Sequence, residues 1–214
     1  MCDINAITKE VVQNSNSNTE YLRINAEWSE FPELKVKWAR SYDFIHFYVT
    51  DYLEDAPENI IKGLMTTIMA KINGDMDATY NEATIEYLTS NDFVQAKRPV
   101  YVGRMKEFSQ SRRLTWALKR LQNKGLVQGQ NVCLGFGESE KDSQSSVLFK
   151  TAIINNKLAK ADNDILDFVV YKAVKYMESM KFGDNIDVPE LNYKILSSYP
   201  GWAELDEKVW KAMA

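Results

Sequence analysis

Few side chains in this chain are equipped for chemistry, and their spacing argues against most of the obvious reactions. The only histidine is His46. It sits in the alternating stretch Phe44 to Thr50 with no partner identifiable along the sequence, so it reads as a half-buried strand residue rather than a general base. Ser145 and Ser146 offer hydroxyls, but no Gly-x-Ser-x-Gly elbow surrounds them and no second histidine exists to activate them. They read as strand-entry residues. Asp184, Asp187 and Glu190 are oxygen donors, yet their spacing is loose and a hard cation needs many converging oxygens; a charge run after a helix is usually a solvated loop. Lys172 and Lys175 are unexpected on an otherwise apolar segment, since a buried lysine needs a partner.

That segment runs from Asn163 to Met180. Leu166, Val169, Val170, Ala173 and Met177 recur at helical spacing, and Asn163 or Asp164 is a plausible N-cap, so it reads as a buried helix. Upstream, Leu34–Trp38 and Phe44–Thr50 alternate as strands, with Ile45, Phe47 and Val49 sharing one face. Pro57 opens a helix carrying Ile60, Ile61, Leu64, Met65, Ile68, Met69 and Ile72, closed by Asn73-Gly74. A helix from Tyr80 to Leu88 follows, and residues 98–103 read as extended. Ser111 to Lys124 is an amphipathic helix with Leu114, Leu118 and Leu121 inward. Val132–Phe136 and Ser146–Ile154 read as strands joined by the polar loop 137–144. Sliding the first half by 105 positions lays Phe44 on Phe149, Leu53 on Leu158, Ala56 on Ala161 and Ile60 on Ile165. A duplicated strand–turn–helix unit and a coincidence of two amphipathic helices both remain open.

The helix 163–180, the strand 145–155 before it and the closing segment Tyr193–Trp202 together resemble the SprT/YgjP-type zincin metallopeptidases, in particular an archaeal branch of small members. Lys37-Trp38-Ala39-Arg40-Ser41 and residues 51–57 resemble the upstream half of that branch. In the family two helix histidines bind zinc and a glutamate between them activates water. The resemblance places the first histidine at Lys172, the glutamate at Ala173 and the second histidine at Tyr176; no histidine follows Met177 to serve as third ligand. An ammonium is a poor ligand and one phenol cannot hold zinc. The resemblance therefore implies a zincin scaffold with no catalytic residues, no metal and no cofactor. It leaves two readings of Lys172: solvated at the rim, or standing in the former zinc cavity paired with an acid such as Asp187 or Glu190.

The chain carries a net charge of −4, but between Lys97 and Lys124 nine cations face the single acid Glu107. Such sign separation implies a basic face on an acidic molecule. Arg112, Arg113, Lys119 and Arg120 lie on the helix whose leucines point inward, so they are expected to face out, with Trp116 and Tyr101 near enough to stack on bases.

At 214 residues, 45% of them hydrophobic and 26% charged, the chain can bury a full core. Cys2 and Cys133 form no framework, which suggests a reducing compartment. The early residues lack a signal-peptide h-region, and no apolar run is long enough to span a bilayer, so the expected setting is cytoplasmic with no membrane partner. The expectation is an α+β fold, a small twisted sheet with helices packed on it, organised as a flexible lead-in (1–20), an N-terminal α+β half (21–110) and a zincin-like half (111–214). The leading function is a catalytically inactive homologue that binds a peptide or protein. The alternative is a nucleic-acid-associated protein using the 97–124 surface. An active peptidase with non-standard ligands comes last.

Overall fold

Apolar residues at every second position define the first sheet. In the computed structural model, which describes residues 2–15, 21–183 and 188–214, β1 (Arg23–Ser29) runs parallel to β3 (Phe44–Thr50), and β2 (Val36–Arg40) runs antiparallel to it. The order is β1-β3-β2. Ile45, Phe47 and Val49 are fully buried on one face, with Ile24 and Ala26 in register beside the first two. Helix α1 (Ile4–Asn14) is capped by Asp3, whose carboxylate accepts from the backbone of Asn5 and Ala6 at 3.0 and 3.1 Å. It buries Ile4, Ile7, Val11 and Val12 against β1 and α2. The lead-in expected over residues 1–20 is thus a packed helix for most of its length; residues 16–20 lie outside the described ones.

A 3₁₀ turn (Asp51–Leu53) and Pro57 introduce α2 (Glu58–Ile72), which stops where Gly74 takes a φ of +105°. Gly63 lets α3 (Glu82–Thr89) come close: a Cβ there would stand 2.4 Å from Thr84 Oγ1 and 2.5 Å from Asn81 Nδ2.

The chain divides into two units, Met1–Lys97 and Arg98–Ala214. The division falls inside α4 (Asn91–Gly103), earlier than the boundary expected at 110/111. Residues 98–103, expected to be extended, continue this helix through Pro99. Proline removes one backbone donor and biases the preceding residue toward extended conformations, and two valines added to that reading. Phe93, Val94 and Tyr101 are nevertheless buried at helical spacing.

The second unit holds β4 (Ser109–Gln110), α5 (Arg112–Asn123), β5 (Cys133–Gly137), β6 (Ser143–Ser146), β7 (Thr151–Asn155), a 3₁₀ turn (Asn156–Lys160), α6 (Asn163–Ser179), α7 (Val188–Ser197) and α8 (Trp202–Met213). Its sheet has the order β4-β5-β7-β6. The single strand expected over 146–154 is a hairpin instead. Lys150 adopts a φ of +45° in the turn, and Leu148 and Phe149 are buried there, so a chain reversal hides inside an apolar run. Leu114, Ala117 and Leu121 of α5, Ala152 and Ile154 of β7, and Leu166, Val169, Val170, Ala173 and Val174 of α6 form the core with Ile195, Tyr199 and Val209.

From α1 in the first unit and from α5 in the second, after the short β4, one order of elements recurs: helix, strand, strand, strand, 3₁₀ turn, helix, then two further helices. In each, the central strand pairs parallel with the first and antiparallel with the second. The ends of β3 and β7, the starts of the 3₁₀ turns and the starts of α2 and α6 all lie 105 positions apart. Buried positions coincide at Ile60/Ile165, Ile61/Leu166, Leu64/Val169 and Met65/Val170. The fold is α+β, and the order of elements shared by the two units extends beyond the strand–turn–helix expected from the sequence. Among the described residues no helix is long and apolar enough to cross a membrane.

Candidate functional site

Helix α6 sets the positions where the resemblance would place zinc chemistry. Ile165, Leu166, Val169, Val170, Ala173 and Val174 turn one side of it into the core, and that phase fixes where its neighbours point. Ala173 is 2% exposed and its carbonyl accepts from Ser145 Oγ at 3.3 Å, which ties β6 to the helix. Tyr176 is half-buried at the margin of the same core.

Lys172 leaves the helix beside Ala173 with its side chain only 16% exposed. Its ammonium pairs with Asp142, in the loop before β6, and with Asp206 of α8 at 3.4 Å. It also lies 4.7 Å from the centre of the Phe168 ring. The Lys172 ammonium is largely withdrawn from solvent and paired, and among the described residues its acids are Asp142 and Asp206 rather than Glu190. Asp184 and Asp187 lie outside the described residues, and Glu190 is an exposed first-turn residue of α7. Asp142 and Asp206 are 30 and 34 positions from Lys172, so the sequence signals only that a lysine on a buried helix requires an acid and not which acid.

A zinc ion does not fit these residues. Lys172 offers an ammonium already engaged by two carboxylates, Ala173 has no donor atom, and Tyr176 is a single phenol. Among the described residues no three His, Cys, Asp or Glu side chains gather as ligands. Ser145 donates its hydroxyl proton to a backbone carbonyl rather than to a base. His46 belongs to the first unit, where it stacks on Tyr48 at 4.5 Å and stands 3.8 Å from Glu27.

No protein-family model matches the chain, and a search of curated proteins finds no relative. The resemblance to the zincins therefore stands on the residues quoted for it.

The second candidate site is α5, and here the expectation divides. Arg113 is half-buried and engaged: its two terminal nitrogens donate to the carbonyls of Ala159 and Ala161 at 2.5 and 2.6 Å, closing the 3₁₀ turn. Arg120 holds the Asp167 carboxylate through Nε at 3.0 Å and Nη2 at 2.5 Å, and this hydrogen bond raises the Arg120 guanidinium pKa. Both arginines are corrected from free surface cations to half-buried clamps. Tyr101 is likewise buried, stacked on Phe149 at 4.6 Å, and not available to a base. Lys97 pairs with Asp55 and Arg98 donates to the Phe149 carbonyl at 2.8 Å. Arg112 and Lys119 are exposed as expected, and Trp116 between them is 57% exposed.

Proposed function

We propose that this chain is a catalytically inactive homologue of the SprT/YgjP-type zincins that binds an extended peptide or protein segment where the family would cut one. What supports the reading is the Lys172 cluster: at the positions where the resemblance would put a zinc ligand and the general base stand an ammonium held by two carboxylates and an alanine. The neighbouring β6 is an edge strand, paired in its sheet with β7 alone, and it is polar throughout (Ser143, Gln144, Ser145, Ser146). An extended segment can add to such an edge through main-chain hydrogen bonds.

Elemental analysis of purified protein, together with hydrolysis assays on casein and an unstructured peptide library, tests the catalytic half. The expected result is no stoichiometric zinc and no cleavage. About one zinc held per chain, the complement of a catalytic site, or cleavage abolished by chelation would overturn it. Peptide-array binding that is lost on replacing Ser145 with proline, in protein still folded by circular dichroism, tests the binding half.

A further inference from the structure

We propose that the outer face of α5 binds single-stranded nucleic acid, with Trp116 as a stacking platform and Arg112, Lys119 and Lys160 as phosphate contacts. At 3.6 residues per turn, positions 112, 116, 119 and 123 fall in one narrow stripe. Leu114, Ala117 and Leu121 fall on the opposite side and are fully buried. The stripe is therefore the part of the helix farthest from the core. It presents a cation, an indole, a cation and Asn123, and α5 contains no acidic residue at all.

Two further observations give the stripe a partner. Neither Arg112 nor Lys119 forms an ion pair with any described residue, whereas their neighbours Arg113 and Arg120 are both engaged internally. The helix thus separates its cations into two that hold the fold and two left to solvent. The clamp made by Arg113 also carries the stripe onward. Its bonds to the carbonyls of Ala159 and Ala161 bracket Lys160, which is exposed and likewise without an ion pair. At the other end Lys124 remains 58% exposed while lying 4.0 Å from Asp167.

The chemistry that fits is a polyanion with flat apolar faces. Cations separated by an exposed indole match alternating phosphates and bases, because the indole has no acceptor to offer and a large π surface to cover. A duplex is the poorer fit, since its base faces are already stacked on one another and would leave Trp116 uncovered. An acidic peptide would satisfy the cations and leave the indole without a role.

Fluorescence anisotropy with labelled oligothymidylate, a matched RNA strand, a DNA duplex and polyglutamate decides the question on the full chain. The expected outcome is binding of the single strands, weaker binding of the duplex and none of polyglutamate. Affinity should drop by about tenfold or more from about 50 to about 200 mM salt. Trp116→Ala should weaken single-strand binding roughly tenfold, and Arg112→Glu with Lys119→Glu should abolish it. None of these side chains is in the core, so circular dichroism and melting temperature should not move. Arg112→Gln with Lys119→Gln supplies a milder pair. Equal affinity for duplex and single strand with no effect of Trp116→Ala would overturn the proposal. So would polyglutamate binding as tightly as the strands, or no binding of any probe.

Discussion

Arg120 and Asp167 join α5 to α6 through a two-pronged contact in which the carboxylate is only 7% exposed. The corresponding place in the first unit, 105 positions earlier, is Lys62. It pairs with Glu10 of α1 at 2.8 Å and with Glu58 at 2.9 Å. Each unit therefore ties its first helix to its central helix at the same position, with the signs of the charges exchanged. The difference lies in depth. The Lys62 pair is solvated, whereas the Asp167 carboxylate has left water and depends on its guanidinium.

Arg120→Ala should consequently destabilise the second unit by about 3 kcal/mol, because it strands a buried carboxylate. Arg120→Ala with Asp167→Ala together should cost less than Arg120→Ala alone, a non-additivity read from urea unfolding in a double-mutant cycle. Lys62→Ala should be much milder. Equal effects at the two positions would contradict the distinction drawn from burial.

Arg112→Ala and Arg113→Ala make a second contrast between adjacent residues of one type. Arg113→Ala removes two charge-assisted donors from the carbonyls of Ala159 and Ala161 and should cost about 1–3 kcal/mol. Arg112→Ala should change stability by less than about 0.5 kcal/mol, as exposed substitutions do. Thermal melts of the two variants decide it.

This contrast also marks what the sequence could and could not tell. Strand β3 and helices α2 and α6 were legible because apolar residues recur at one period over their whole length. Amphipathicity also placed Leu114 and Leu121 inside. It could not distinguish the centre of the polar face from its flanks, and the flanks are where Arg113 and Arg120 meet the next element. Lys172 was legible as a problem, a cation on a buried helix, but its partners come from a loop and from α8. Tertiary proximity of that kind leaves no periodic trace. Helix α4 and the β6–β7 hairpin are hidden from the sequence for local reasons, a proline inside one and buried apolar residues in the turn of the other.

Lys172→Met keeps an aliphatic stem against Phe168 and removes the ammonium, leaving Asp142 and Asp206 to face each other. Stability should fall by about 1–3 kcal/mol, and limited proteolysis should cut first near α8, whose Asp206 has lost its partner. Adding Asp142→Asn to Lys172→Met should recover part of the loss. By the same logic a chelator should leave the melting temperature unchanged, since an ion pair and core packing hold α6. A fall of several degrees with chelator would contradict that.

Gly63 gives the sharpest test of the packing between α2 and α3. Alanine is ordinarily the better helix residue and would gain up to about 1 kcal/mol in an exposed helix interior. Here its methyl carbon would stand 2.4 Å from Thr84 Oγ1 and 2.5 Å from Asn81 Nδ2. Thr84 is fully buried and cannot swing away, and Asn81 caps α3 by accepting from the Thr84 backbone at 2.8 Å. The substitution must therefore push α3 off or break its cap, and overpacking of this kind costs about 1–3 kcal/mol. Gly63→Ala should lower the stability of the first unit despite its helix propensity. Gly63→Ala combined with Thr84→Ser, which removes a methyl group and keeps the hydroxyl, should not restore it. Thr84→Ala, which removes the clashing oxygen, should restore part. A stabilised Gly63→Ala variant would mean that α2 and α3 do not approach as closely as the backbone places them.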